Sequence, residues 1–296
     1  MTERMIKANN IDIWTEDFGD PSHTPLLLIM GATASGIYWH DDFVERLVEQ
    51  KRYVIRYDNR DTGQSTCFDF QETPYTLDDM AADAVGVLDA YDISSADVAG
   101  ASMGGMIVQA LALQHRSRIR SATIIMSSPL SGGGEQPELS ADDLPGPDPA
   151  WMTKSMAIQM NPAETREERI EQRVQLFGML SGSAEEFDTE RQRGIATREA
   201  DRANDFNAMN NHALAIGGST PMDRRSGLSR IDVPALVIHG TEDPILPYAH
   251  GVSLAETIPG AKLLTLDRAG HEMPDMYVDE IVDAMIKISG ASTESD

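Results

Sequence analysis

The segment that most constrains the fold is the turn Gly100-Ala101-Ser102-Met103-Gly104. A short apolar strand pattern at 97–101 runs into this turn, and apolar residues follow it at helical spacing up to Leu113. In a Gly-x-Ser-x-Gly turn between a strand and a helix, the serine takes a strained backbone conformation that exposes its hydroxyl. We therefore predict that Ser102 is a nucleophile at the end of a buried strand, with the positive end of a helix behind it.

Strand and helix patterns alternate on both sides of this turn. A hairpin is predicted over residues 4–17, because apolar and polar residues alternate around the pair Asn9-Asn10. Further short runs are apolar on both faces, as strands covered by helices on each side are; they lie at 25–30, 53–57, 122–126, 233–239 and 261–266. With helix patterns between them, these runs predict an α/β fold with a mostly parallel central sheet flanked by helices.

The alternation stops between the strands at 122–126 and 233–239. Residues 131–149 are rich in glycine, proline and acidic residues, and residues 151–216 show helix patterns with no convincing strand between them. We interpret this stretch as a helical cap inserted into the sheet domain. The predicted division is a core of residues 1–129 and 227–296 and a cap of residues 130–226.

The amino-acid composition disfavours several classes of binding partner and site. The formal charge of −24, from 48 acidic and 24 basic residues, disfavours nucleic acid and anionic membranes as partners. No apolar run long enough to span a membrane and no signal-peptide pattern occurs, so a cytoplasmic location is expected. Cys67 is the single cysteine, which excludes an internal disulfide, and no histidine or cysteine spacing typical of a metal site is present.

A serine hydroxyl becomes a good nucleophile only when an imidazole takes its proton and a carboxylate orients that imidazole. Asp243 follows the predicted strand at 233–239, and His271 follows the strand at 261–266. Because the carboxyl ends of parallel strands meet at one edge of a sheet, both residues should converge on Ser102. The order serine, aspartate, histidine is the one that this architecture uses.

Both assignments have alternatives. Asp243 could simply open a turn, and Glu242 is its neighbour, but Pro244 favours a fixed turn that presents Asp243. His239 belongs to a strand pattern itself. The remaining histidines do not follow a late strand of the sheet: His23, His40, His115, His212 and His250.

A tetrahedral intermediate also needs two hydrogen-bond donors for its oxyanion. The amide of Met103, directly after the nucleophile, is predicted to be one donor, and the amide of Ala32, in the loop after the first buried strand, is predicted to be the other. Gly31 allows the backbone to turn there, and it is expected, with Trp39, to contact substrate.

The predicted cap contributes candidates for an apolar substrate pocket. Trp151, Met152 and Met156 are expected to line it, since methionine adapts to irregular ligands. Three more methionines belong to the same hypothesis: Met160, Met179 and Met209. The alternative is that these side chains pack the cap against itself. The polar segment Asp58–Ser65 is interpreted as a structural turn held by its own hydrogen bonds.

These motifs together resemble the α/β-hydrolase superfamily; they lie at 26–32, 56–65, 100–105, 239–244 and 270–274. Within the superfamily, three segments are similar to sequences of the aclacinomycin methylesterase family: Trp14–Pro21, Met30-Gly31 and the turn at 57–65. The resemblance implies a cofactor-free serine hydrolase with Ser102, Asp243 and His271 as its triad. Ala32 stands where the methylesterase has glycine, and Gly105 stands where it has alanine.

The sequence therefore predicts a serine hydrolase that cleaves a carboxylic ester, such as a methyl ester or a hydrophobic acyl ester, through an acyl-enzyme. Superfamily members that use an elbow aspartate, the epoxide hydrolases and haloalkane dehalogenases, are excluded by Ser102. Two alternatives stay open: an N-acyl homoserine lactonase, and a non-catalytic ligand-binding protein on a hydrolase scaffold. The expected partner is a small-molecule ester or lactone.

Overall fold

A computed structural model describes residues 1–129, 144–218 and 227–290. Eight strands form one sheet in the order β1-β2-β4-β3-β5-β6-β7-β8. Their bounds are Thr2–Ala8 (β1), Ile11–Phe18 (β2), Thr24–Ile29 (β3), Arg52–Tyr57 (β4), Ala96–Ala101 (β5), Ile119–Ile125 (β6), Ala235–Gly240 (β7) and Lys262–Leu266 (β8). The strand β2 pairs antiparallel with β1 and β4, whereas the pairs from β4 to β8 are parallel. The predicted α/β class and mostly parallel sheet are confirmed.

Helices cover both faces of this sheet. The bounds of the helices in the described ranges are Asp41–Glu49 (α1), Leu77–Ala90 (α2), Met103–Gln114 (α3), Pro149–Gln159 (α4), Arg166–Gly178 (α5), Thr189–Arg202 (α6), Asn211–Gly218 (α7), Ala249–Thr257 (α8) and Val278–Gly290 (α9). Short 3₁₀ turns lie at Gly36–Tyr38, Arg116–Arg118, Ala208–Asn210 and Asp275–Tyr277. None of the helices in these ranges has both the length and the apolarity that a membrane crossing needs.

The alternation of side chains along β3 explains why its last four residues are all apolar. Leu27 and Ile29 belong to a core cluster that also contains side chains of α2, α3 and α8. Leu26 and Leu28 point to the opposite face and join a cluster with side chains of α1 and α9. Successive strand residues face opposite sides of a sheet, so a strand with helices on both sides must be apolar at every position.

The hairpin prediction is also confirmed. Ala8 pairs with Ile11, which leaves Asn9 and Asn10 as a two-residue turn between β1 and β2. Both asparagines have positive φ, 47° and 66°. This is the backbone that matches the twist of a tight hairpin, and asparagine tolerates it better than most residues.

Helices α4 to α7 lie between β6 and β7 in the chain, where the insertion was predicted. Helices α5 and α6 pack on each other through Ile170, Val174 and Ala196. Most of the stretch at 131–149 that is rich in glycine, proline and acidic residues lies outside the described residues, which resume at residue 144. The division into core and cap therefore stays a prediction.

Candidate active site

Ser102 occupies a tight turn between β5 and α3. Its φ of 53° and ψ of −118° lie in a region that residues other than glycine rarely adopt. The backbone is held there from the neighbouring strand, because the Ser102 amide donates to the Ile125 carbonyl at 2.8 Å. The hydroxyl of Ser127 donates to the Ser102 carbonyl at 2.7 Å. The turn thus has the geometry expected of a nucleophile elbow.

The glycines around Ser102 are required by close backbone contacts. A Cβ on Gly104 would lie 2.1 Å from the Ile29 carbonyl oxygen, and a Cβ on Gly100 would lie 2.2 Å from the Gly104 carbonyl oxygen. Neither contact can be relieved by rotating a side chain, since both involve backbone atoms. The helix α3 therefore approaches β5 and β3 as closely as it does only with glycine at both positions.

Asp243 and His271 meet across the loops that follow β7 and β8. Nδ1 of His271 lies 2.6 Å from Oδ2 of Asp243. A carboxylate can only accept, so Nδ1 carries the proton and Nε2 is left as the basic nitrogen. The other carboxylate oxygen accepts from the amides of Ile245 and Leu246, at 2.9 and 2.8 Å.

These contacts keep Asp243 ionised. Burial favours the neutral acid, but the charge of His271 and hydrogen bonds from His239, His271 and Leu246 outweigh burial and lower the pKa of Asp243 below its usual range. The aspartate is thus suited to orient His271 and to stabilise its positive charge.

Residues predicted to form the active site line one cavity of about 990 Å³. Ser102 and His271 line it, as do Gly31, Ala32 and Met103. A Cβ on Gly31 would lie 3.1 Å from Cβ of Ser102, so the loop after β3 passes directly beside the nucleophile. Backbone donors in this loop and at the start of α3 therefore border one space next to Ser102.

The predicted substrate contacts separate into two groups. Gly31, Trp151 and Met209 line the cavity. Trp39 does not line it, because its ring is fully buried and stacks on Phe43, with the ring centroids 5.6 Å apart. The expected contact from Trp39 is corrected accordingly.

Met152 and Met156 also lie away from the cavity, on the solvent side of α4, with 41% and 59% of their surfaces exposed. The cavity is lined instead by Trp151, Ser155 and Ile158. These positions are four and three residues apart and share one helix face, whereas Met152 and Met156 lie one position further round. Met160 is also exposed, and Met179 is not among the lining residues. The predicted contacts from Met152 and Met156 are corrected.

The polar turn after β4 holds the inserted helices to the sheet. Asp58 accepts hydrogen bonds from the amides of Gly36 and Gln64, both at 2.9 Å, and pairs with Arg202 of α6 at 2.9 Å. These contacts agree with the structural interpretation of the turn. The partner Arg202 was not identified from the sequence, because no local pattern links positions so far apart.

Comparison with known proteins places the chain in a family. The family model described as the alpha/beta hydrolase fold matches residues 24–275. The chain is 35% identical over 300 residues to a rhodomycin D methylesterase of Streptomyces sp. (strain C5), covering 99% of this chain and all of the relative. It is 36% identical over 301 residues to a rhodomycin D methylesterase of Streptomyces peucetius, again over 99% of this chain and all of the relative.

Solved structures show the same fold. An esterase of Rhodococcus sp. ECU1013 superposes with a TM-score of 0.74 at 21% identity, covering 97% of this chain and all of that chain. The enol-lactonase of Burkholderia xenovorans LB400 superposes with a TM-score of 0.72 at 22% identity, covering 96% and 99%. The near full-length relatives confirm the prediction of a carboxylic-ester hydrolase. The chain belongs to the α/β-hydrolase family.

Proposed function

We propose that the chain hydrolyses the methyl ester of a bulky, largely apolar carboxylic acid through an acyl-enzyme on Ser102. The observation that carries the proposal is the 2.6 Å bond between His271 and Asp243, with His271 and Ser102 lining the same cavity. The rhodomycin D methylesterases support the choice of a methyl ester, since each matches the chain over almost its whole length.

In the proposed mechanism, Nε2 of His271 takes the proton of the Ser102 hydroxyl as the serine oxygen attacks the ester carbonyl. The amides of Ala32 and Met103 donate to the resulting oxyanion. The ester C–O bond then breaks, and methanol leaves with the proton from His271. Water repeats the sequence on the acyl-enzyme and releases the free acid, while Asp243 stays ionised.

The size and lining of the cavity support a bulky acid. Its volume of about 990 Å³ is at the upper end of the range of small-molecule sites. Apolar side chains of the insertion line much of it, including Trp151, Leu176, Phe177 and Phe206. We also propose that residues 130–226 act as a cap, since α4 to α7 all contribute lining residues above the sheet edge.

Substrate profiling of the purified chain tests this function. Hydrolysis is measured by mass spectrometry for a polycyclic aromatic methyl ester, a short p-nitrophenyl ester and an N-acyl homoserine lactone, with Ser102→Ala as the blank. The proposal expects the highest kcat/KM for the bulky methyl ester. Faster lactone opening supports the lactonase alternative. Absence of turnover on all three, with Ser102 unreactive toward a fluorophosphonate, overturns the hydrolase assignment.

A further inference from the structure

Thr33 has an unusual backbone for its residue type. It directly follows Ala32 and has a φ of 61°, a left-handed conformation that a β-branched residue adopts at a cost in free energy. Such a conformation persists only where the surrounding structure fixes it. Among the described residues, the two side chains that bond the backbone of Thr33 come from the inserted helices.

The imidazole of His212, on α7, holds the Thr33 amide. The Thr33 N–H donates to Nδ1 of His212 at 3.0 Å, and Nε2 of His212 donates to the Arg60 carbonyl at 2.8 Å. The side chain of His212 is fully buried and does not line the cavity. One ring nitrogen accepts and the other donates, so both ring nitrogens are used by the neutral imidazole. Burial lowers the pKa of His212, which favours this neutral form.

The guanidinium of Arg173, on α5, holds the carbonyl group of Thr33. Its Nη2 donates to the Thr33 carbonyl at 2.7 Å. The guanidinium also lies over the rings of Tyr38 and Phe177, 5.2 and 5.1 Å from their centroids. Two separate helices of the insertion therefore fix the N–H and the C=O of Thr33.

This arrangement acts on the oxyanion donor through the backbone. The His212 bond fixes the peptide plane between Ala32 and Thr33, and the adjacent plane carries the Ala32 N–H. An oxyanion donor must lie about 2.7–3.1 Å from the developing charge, so a small rotation of this plane weakens the interaction. We infer that His212 is a positioning residue that aims the Ala32 amide at the oxyanion. This inference rests on the proposed function.

Two substitutions separate the roles of the two ring nitrogens. In His212→Gln, the side-chain amide reaches the position of Nε2 and can donate to Arg60, but the acceptor for Thr33 is lost. In His212→Asn, the amide oxygen reaches the position of Nδ1 and keeps that acceptor. We expect His212→Gln to lower kcat about tenfold with little change in KM, and His212→Asn to stay closer to wild type.

A transition-state analogue distinguishes positioning from a merely structural role. A trifluoromethyl ketone is attacked by the nucleophilic serine and forms an oxyanion at the same place as the ester, so its affinity reports the donors. We expect its affinity to fall in His212→Gln by the same factor as kcat/KM. The matched control is His250→Gln on α8, where a buried imidazole contacts Ser128 and Pro145, both at 2.9 Å, away from Thr33. This control should keep wild-type kcat and analogue affinity.

The outcomes are distinct. Wild-type kcat in folded His212→Gln overturns the inference, as does a lowered kcat with unchanged analogue affinity. If His212→Gln does not fold, His212→Phe fills similar space without an acceptor for the Thr33 amide and is measured in the same way, with the same two results counting against the inference. A wild-type chain that hydrolyses no ester overturns the proposed function itself, whereas an active wild type with unaffected variants overturns the inference alone.

Discussion

The elbow at Ser102 and the loop after β3 border the same cavity, but they are held in different ways. The elbow is fixed by its own glycines and by the adjacent strand β6, as the contact between Ser102 and the Ile125 carbonyl shows. Thr33 is fixed by His212, which lies 179 positions later in the chain. The nucleophile is thus supported from within the sheet domain, and the loop that carries Ala32 is supported from the insertion.

We therefore expect two kinds of variant. Substitutions at the elbow should change the rate of the chemical step or the packing of the core. Changes in the insertion should act on the loop after β3 and on the attachment of α5, α6 and α7 to the sheet.

The largest expected effect tests the elbow itself. Ser102→Ala removes the proposed nucleophile and should lower kcat on a p-nitrophenyl ester by on the order of 10⁴ or more, because the acyl-enzyme cannot form. Steady-state kinetics and circular dichroism measure the loss and check the fold. The exposed Ser22→Ala serves as control and should behave as wild type. Turnover within tenfold of wild type in Ser102→Ala would contradict the assignment.

The next prediction concerns the attachment of the insertion. Arg202→Met leaves Asp58, which is fully buried, without its ion-pair partner and should lower the free energy of unfolding by about 4 kcal/mol. Urea unfolding measures the change. Arg166→Met is the matched control, since Arg166 pairs with Asp201 at the surface and its loss should change the free energy of unfolding far less. Equal losses in both variants would show that the pair with Asp58 does not anchor α6.

A glycine pair tests the packing of the elbow. Gly104→Ala places a methyl group against the Ile29 carbonyl and should destabilise the fold by about 3 kcal/mol, with loss of esterase activity as the elbow shifts. In contrast, Gly194→Ala on α6 meets no atom within 4 Å and should stabilise its helix by about 0.5–1 kcal/mol. Thermal unfolding of both variants gives the comparison, and a neutral Gly104→Ala would refute the close approach of α3 to β3.

The smallest expected effect is on the pH dependence of stability, through His40, which lies close to α6 of the insertion. Burial and the nearby charge of Arg191 on α6 lower the pKa of His40 from 6.5 to about 4. Between these values the unfolded chain binds a proton that the folded chain does not, so stability falls as the pH falls. Urea unfolding at pH 7.5 and 4.5 should show a loss in wild type that exceeds the loss in His40→Gln by roughly 1 kcal/mol, since the ring is partly exposed. An identical loss of stability in both proteins would show that His40 does not cause the pH dependence.

The sequence could predict those features that a short segment specifies. The hairpin turn is specified by Asn9-Asn10, and the close approach of α3 to β5 and β3 is specified by Gly100 and Gly104. The convergence of Asp243 and His271 followed from two predicted parallel strands and their shared edge. Each inference needed only local residues and one rule of topology.

Features that depend on how α4 to α7 lie on the sheet could not be predicted. The methionines of α4 are apolar, but the helix presents Trp151 and Ser155 to the cavity and leaves Met152 in solvent. His212 was not chosen as the catalytic base because it does not follow a late strand of the sheet. Its contact with Thr33 could not be inferred, because the two residues are far apart in the sequence. The apolar residues of a helix indicate that it packs, but they do not fix which face meets a ligand.

The attachment of Thr33 has a consequence for protein engineering. A chimera that takes residues 130–226 from another esterase retains the Ala32 amide but loses its supports, unless an imidazole and a guanidinium are carried over at the positions of His212 and Arg173. Libraries aimed at a new substrate range should therefore diversify the cavity-facing positions of α4, such as Ser155 and Ile158, and keep the two supports constant.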